Sequence, residues 1–77
     1  MKLVQTCIAC PEQYDVLDED DEKIGYLRLR HGRFTAEYLD TLVYEADTIG
    51  DGMFDPSERD YHLARAMWAI HRQRILE

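Results

Sequence analysis

A chain of 77 residues has enough material for one hydrophobic core and too little for a second, so it reads as a single domain, residues 1–77, without room for a large enclosed substrate pocket. Its 45% hydrophobic content, with five Tyr, two Phe and one Trp, is too apolar and aromatic for a disordered chain despite 32% charged residues. The net charge of −7 speaks against direct binding to nucleic acid or to an anionic membrane, both of which call for a basic balance.

Residues 1–13 mix polar and apolar types around Pro11 and read as a short first strand or an arm. The opening Met1 to Cys7 has too short an apolar stretch for a secretory signal, and no later run approaches the roughly 18–20 apolar residues that span a bilayer, so a cytoplasmic location is expected. Cys7 and Cys10 form one C-x-x-C. The pair supplies only two of the four ligands of a zinc site and lacks the βαβ surroundings of a redox motif, which favours structural or incidental thiols. A zinc half-site completed by a histidine or a second subunit, and a redox pair, stand as the alternatives.

Tyr14 to Leu17 is a strand candidate, and Asp18, Glu19, Asp20, Asp21 and Glu22 must form a solvated turn. Residues 23–30 then alternate, placing Leu27 and Leu29 on one face and Tyr26, Arg28 and Arg30 on the other. His31-Gly32 supplies the glycine of a tight hairpin, and residues 33–38 return. Phe34, Tyr38, Leu39, Leu42, Val43 and Ala46 also satisfy helical spacing, but the β-formers of residues 41–44 and a turn at Leu39-Asp40-Thr41 favour strand. The last element has a clear start: Asp55 as N-cap, Pro56 at the first helical position and Glu58 closing a capping box. From there to about Leu76, Leu63, Ala64, Met67, Ile70, His71 and Ile75 trace one helical face, flanked by Trp68. The expected fold is α+β: an antiparallel sheet of three or four strands covered by one C-terminal helix.

Three segments carry chemical potential. Residues 47–58 follow the twelve-residue EF-hand template at Asp47, Asp51, Gly52, an apolar position 8 and Glu58, but Ile49 stands where an oxygen ligand belongs, so no metal is expected. Tyr26, Arg28, Arg30, His31 and Arg33 gather around the hairpin tip and could clamp a phosphate or small nucleotide, since guanidinium groups bind phosphate oxygens bidentately. The bland alternative is that these arginines pair with the acidic turn or with Glu37 across the hairpin. Finally, seven of the sixteen acids lie between Glu12 and Glu22, so the net charge belongs to that segment. Its carboxylates could occupy the positions of DNA phosphates in the basic groove of another protein. No enzyme is expected: Ser57 is the chain's one serine and lies in the first turn of the helix, the cysteines lack an evident base, and there is no phosphate-cradling glycine loop. No cofactor is implied.

The run Ile24-Gly-Tyr-Leu-Arg-Leu-Arg-His-Gly32-x-Phe34, with Val43-Tyr-Glu-Ala46, Gly50-Asp-Gly-x-Phe54 and Glu58-Arg-Asp-Tyr61, resembles small uncharacterised proteins carried by phages and prophages of Gram-positive bacteria, over residues 14–76. That family has a Pro/Gly-containing loop where this chain has only Leu39-Asp40-Thr41, and it carries no established activity to transfer. What the resemblance implies is a setting: an accessory protein of the anti-CRISPR kind, acting in the host cytoplasm as monomer or homodimer. Its partner would be a host protein with a basic surface, such as a Cas or other nucleic-acid-binding protein, met by Asp18 to Glu22. The ranked alternatives are a small-ligand or nucleotide-phosphate binder using the hairpin arginines, and a metal-binding module.

Overall fold

Alternation of period two runs through most of the chain up to residue 47, and the backbone follows it. The computed structural model describes residues 1–7 and 11–76. Five strands, β1 (Lys2–Cys7), β2 (Glu12–Leu17), β3 (Lys23–Arg30), β4 (Arg33–Tyr38) and β5 (Thr41–Asp47), precede one helix, α1 (Arg59–Leu76). Each strand pairs antiparallel with its sequence neighbours in a single meander, β1-β2-β3-β4-β5. The sheet therefore has five strands where the sequence suggested three or four. The N-terminal segment is a full edge strand that hides its pattern, because most of its residues are exposed and it has no alternating apolar face to read.

Two tight hairpins set the register of the central strands. His31 and Gly32 (φ 54° and 72°) turn β3 into β4, and Leu39 and Asp40 (φ 48° and 68°) turn β4 into β5. Both central residues lie in the left-handed region in each case, as the hairpin-compatible type I′ turn requires. The strand reading of residues 34–46 thus holds, and the turn falls within the expected Leu39-Asp40-Thr41.

Cross-strand partners Tyr14, Leu27 and Ala36, with Val16, Gly25 and Tyr38 on one side and Glu12, Leu29 and Phe34 on the other, line the buried face. α1 packs on that face over β4 and β5. Ile70 reaches as far as β3, because Gly25 has no side chain: a Cβ there would lie 2.9 Å from the Glu37 carbonyl oxygen and 3.0 Å from Ile70 Cδ1.

The helix departs from the sequence reading in start and in face. Pro56 to Glu58 form a turn, with Glu58 N–H donating to the Asp55 carbonyl at 3.0 Å, and α1 begins at Arg59 rather than Pro56. The capping box is nonetheless formed. Asp55 Oδ1 accepts the Ser57 N–H at 2.9 Å, and Glu58 Oε2 accepts the Asp55 N–H at 3.1 Å. The docked stripe is His62, Ala66 and Ile70, flanked by the half-buried Leu63 and Met67, while Ala64, His71 and Ile75 of the expected face are exposed. The reason is chemical: a histidine enters the core because its polar atoms find partners there, so apolar spacing alone misplaced the stripe. Among the described residues, no helix is long and apolar enough to cross a membrane.

Candidate functional site

Two buried ionic clusters join the loop after β5 to the sheet. Glu12 is fully buried on β2, yet its carboxylate accepts from Arg59 Nε and Nη2 (3.0 Å each), from the Phe54 N–H (3.1 Å) and from the Tyr14 hydroxyl. Burial pushes this carboxyl up, but the hydrogen bonds from Arg59, Tyr14 and Phe54 outweigh it and hold the group below its ordinary 4.5. Glu58 accepts the N–H groups of Ile49 (2.9 Å), Gly50 (2.8 Å) and Asp55 (3.1 Å), with His62 Nε2 at 3.6 Å. His62 Nδ1 in turn meets the Tyr44 hydroxyl at 3.0 Å, and its ring stacks on Phe54. Among the described residues no buried side-chain nitrogen or oxygen lacks a partner, so both clusters are saturated from within.

In residues 47–58 this geometry departs from the EF-hand template at two points. Both Glu58 oxygens face backbone N–H groups of the loop itself, and the loop is entered from a strand instead of a helix. Asp47 points to Arg33. Among the described residues no three His, Cys, Asp or Glu side chains converge as metal ligands would. Cys7 ends β1, but Cys10 lies outside the described residues, so the C-x-x-C is not placed.

The acidic turn and the arginine hairpin lie at opposite ends of β3, since one precedes that strand and the other follows it. They do not neutralise each other. In the turn, Asp18 Oδ1 accepts the N–H groups of Asp20 (2.8 Å) and Glu22 (3.0 Å), which fixes the backbone. Asp21 pairs with Lys2 at 2.8 Å and Glu19 with Arg74 at 3.2 Å. The carboxylates of Asp20 and Glu22 are exposed and form no ion pair among the described residues. Glu12, counted with this segment by charge alone, belongs to the core.

At the other end, Tyr26, Arg28 and Arg30 stand on the sheet face away from α1, as their alternation implied. With His31 they line one groove of about 520 Å³. The groove is lined further by Pro11, by Gln13 beside Arg28 on β2, and by Asp51-Gly52 of the loop after β5. Gln13 Oε1 accepts the Tyr26 hydroxyl and so fixes the ring. The loop wall is pinned to the hairpin tip: Gly32 N–H donates to the Asp51 carbonyl at 2.7 Å, and Thr48 N–H donates to the Gly32 carbonyl at 2.8 Å. Arg33 does not join the groove. It is turned to β5 by Glu45 (2.6 Å) and Asp47 (3.5 Å). Gln13 was not anticipated as a site residue, and Asp51 only as part of the metal-loop template; they reach the groove through the β2–β3 register and the loop's return to the hairpin.

The cations divide cleanly. Of nine lysines and arginines, Lys2, Lys23, Arg33, Arg59 and Arg74 have carboxylate partners, whereas among the described residues Arg28, Arg30, Arg65 and Arg72 have none. These four fall two by two into separate grooves, Arg28 and Arg30 in one and Arg65 and Arg72 in the other. Comparison with known proteins returns no family model, no curated protein and no solved structure similar to this chain.

Proposed function

We propose that the protein is a non-enzymatic binding module whose groove at the β3–β4 hairpin takes a small phosphate-bearing ligand. The observation that carries this reading is the pair Arg28 and Arg30, unpaired among the described residues and adjacent on one face of β3. Same-face residues on a strand stand about 7 Å apart, a span that lets two guanidinium groups close on one phosphate or bridge two. His31 adds a donor at the rim, and Tyr26, held by Gln13, offers a fixed aromatic surface for the remainder of a nucleotide. Asp51, which also lines the groove, is suited to accept from a ribose hydroxyl.

Inorganic pyrophosphate and ADP are the probes. Each should raise the melting temperature in a saturable way, by the linkage of binding to folding, and the double substitution Arg28→Gln/Arg30→Gln should remove the effect while leaving the circular dichroism spectrum intact. No shift with either probe at about 10 mM, or a shift that survives the double substitution, would overturn the assignment.

A second reading is supported by the other end of the sheet. Asp20 and Glu22 project from a turn whose backbone Asp18 holds fixed, and this is the presentation that docking to a basic protein surface needs. In the setting implied by the resemblance, the partner is a host defence protein and the action is inhibition in the host cytoplasm. Binding of a protein recovered from bacterial lysate should then weaken above about 0.15 M salt and slow in association when Asp20→Asn and Glu22→Gln are combined. An unchanged association rate would exclude the turn as the docking surface.

A further inference from the structure

Arg65 and Arg72, without carboxylate partners among the described residues, both stand on α1. β5 is an edge strand, so among the described residues the outer side of its backbone has no strand beside it, and its pairing with β4 is regular except at Val43, where the ladder skips one residue. Unlike β1 at the opposite edge, it runs beneath α1, which packs over β4 and β5. Between strand and helix lies a hollow of about 510 Å³, floored by Val43 and Tyr44 and overhung by Ala64, Arg65, Trp68 and Arg72. Trp68 is 59% exposed, a large apolar surface with the core already closed beneath it. Arg65 lies over the Tyr61 ring, 5.0 Å from its centroid, and among the described residues neither Arg65 nor Arg72 has a carboxylate partner.

We propose that the β5 edge takes up an extended acidic segment of a partner protein as a sixth strand, roofed by α1, with Arg65 and Arg72 receiving its carboxylates. Backbone pairing to β5 supplies the attachment, and the side chains that face the helix supply the choice. Arg65 and Arg72 are seven residues apart on α1, about 10 Å along its axis. On an added strand, same-face residues two apart are separated by about 7 Å and those four apart by about 13 Å. Carboxylates at the first and fifth positions can therefore reach the two long guanidinium side chains, leaving the third position beneath Trp68. The recognised pattern is acid-x-apolar-x-acid.

The chain's one tryptophan sits in this groove and reports on it directly. The probe is the heptapeptide acetyl-Thr-Glu-Thr-Val-Thr-Glu-Thr-amide, titrated into the full chain with Trp68 emission as readout. We expect a saturable blue shift. Affinity should fall about tenfold or more in Arg65→Gln/Arg72→Gln, checked for fold by circular dichroism. It should also fall when a central backbone nitrogen of the peptide is methylated, because the ladder loses a donor. No saturable response, or one insensitive to the double substitution, would overturn the proposal. Binding that tolerates the methylated peptide would show an ionic contact without strand addition and overturn it equally. So would a concentration-dependent dimer in sedimentation that is abolished by Val43→Lys, since a second copy would then own the edge.

Discussion

Glu12 enters the core because four donors meet its two oxygens, and a carboxylate so satisfied loses little on leaving water. Replacing one member uncovers the others. Glu12→Gln keeps the shape but leaves Arg59 without its counter-charge, and we expect a loss of about 2–3 kcal/mol in urea melts, below the roughly 3–5 kcal/mol of a fully buried pair because Arg59 is one-third exposed and can reach water. The pH dependence has a definite sign. Glu12 and Glu58 are both held below 4.5 when folded, burial being outweighed by hydrogen bonds in each, so their contribution is present above about pH 4.5 and disappears as pH falls through the folded values. The urea midpoint should decline steeply below pH 4.5 and less steeply in Glu12→Gln; an equal decline in both would place the acid sensitivity elsewhere. At this scale the sequence was legible where alternation decides direction. Tyr26, Arg28, Arg30 and His31 are in one groove because three share a strand face and the fourth begins its turn. Arg33 stands apart from that groove because Glu45 and Asp47 of β5 hold it: the turn between β4 and β5 was legible, but not the register that brings these two acids to Arg33.

The hairpins were readable from their turn residues and the helix from its cap, but the side on which the helix docks was not. His62 sits where a periodicity rule expects an apolar residue, made acceptable by Tyr44 and Glu58 from other elements. Its inclusion rotates the buried stripe toward Ala66 and away from Ile75, which is 65% exposed. A graded series of truncations tests that rotation. Ile70→Ala, at a fully buried position over Gly25, should cost about 3 kcal/mol or more, and Met67→Ala at the flank about 1 kcal/mol. Ile75→Ala should cost under about 0.5 kcal/mol. Denaturant midpoints in any other order, Ile75 above Met67 in particular, would mean that the helix docks by the face its apolar spacing suggests.

For the molecule as a whole, the distribution of ion pairs separates cations that serve the fold from those free to serve a ligand. Arg59 and Arg74 tie α1 to β2 and to the acidic turn, Lys2 ties β1 to that turn and Arg33 ties β4 to β5, whereas Arg28, Arg30, Arg65 and Arg72 line grooves without carboxylate partners among the described residues. A competing explanation exists: in a chain of net charge −7, unpaired arginines could simply dilute the acidic field that opposes compaction. The two explanations differ in their salt dependence. Removing either arginine pair takes the net charge from −7 to −9, since two positive charges are lost. If dilution is their role, Arg28→Gln/Arg30→Gln and Arg65→Gln/Arg72→Gln should each destabilise the fold at low salt and recover at high salt, where screening shortens the reach of the field to a few ångströms. If they are held for ligands, stability should change by less than about 1 kcal/mol, the most that the contact of Arg65 with the Tyr61 ring is worth, and by the same amount at about 20 mM and at about 500 mM salt. We expect the second result for both pairs. A loss above about 1 kcal/mol confined to low salt would reassign those arginines to the fold and remove the basis for the groove in which they stand.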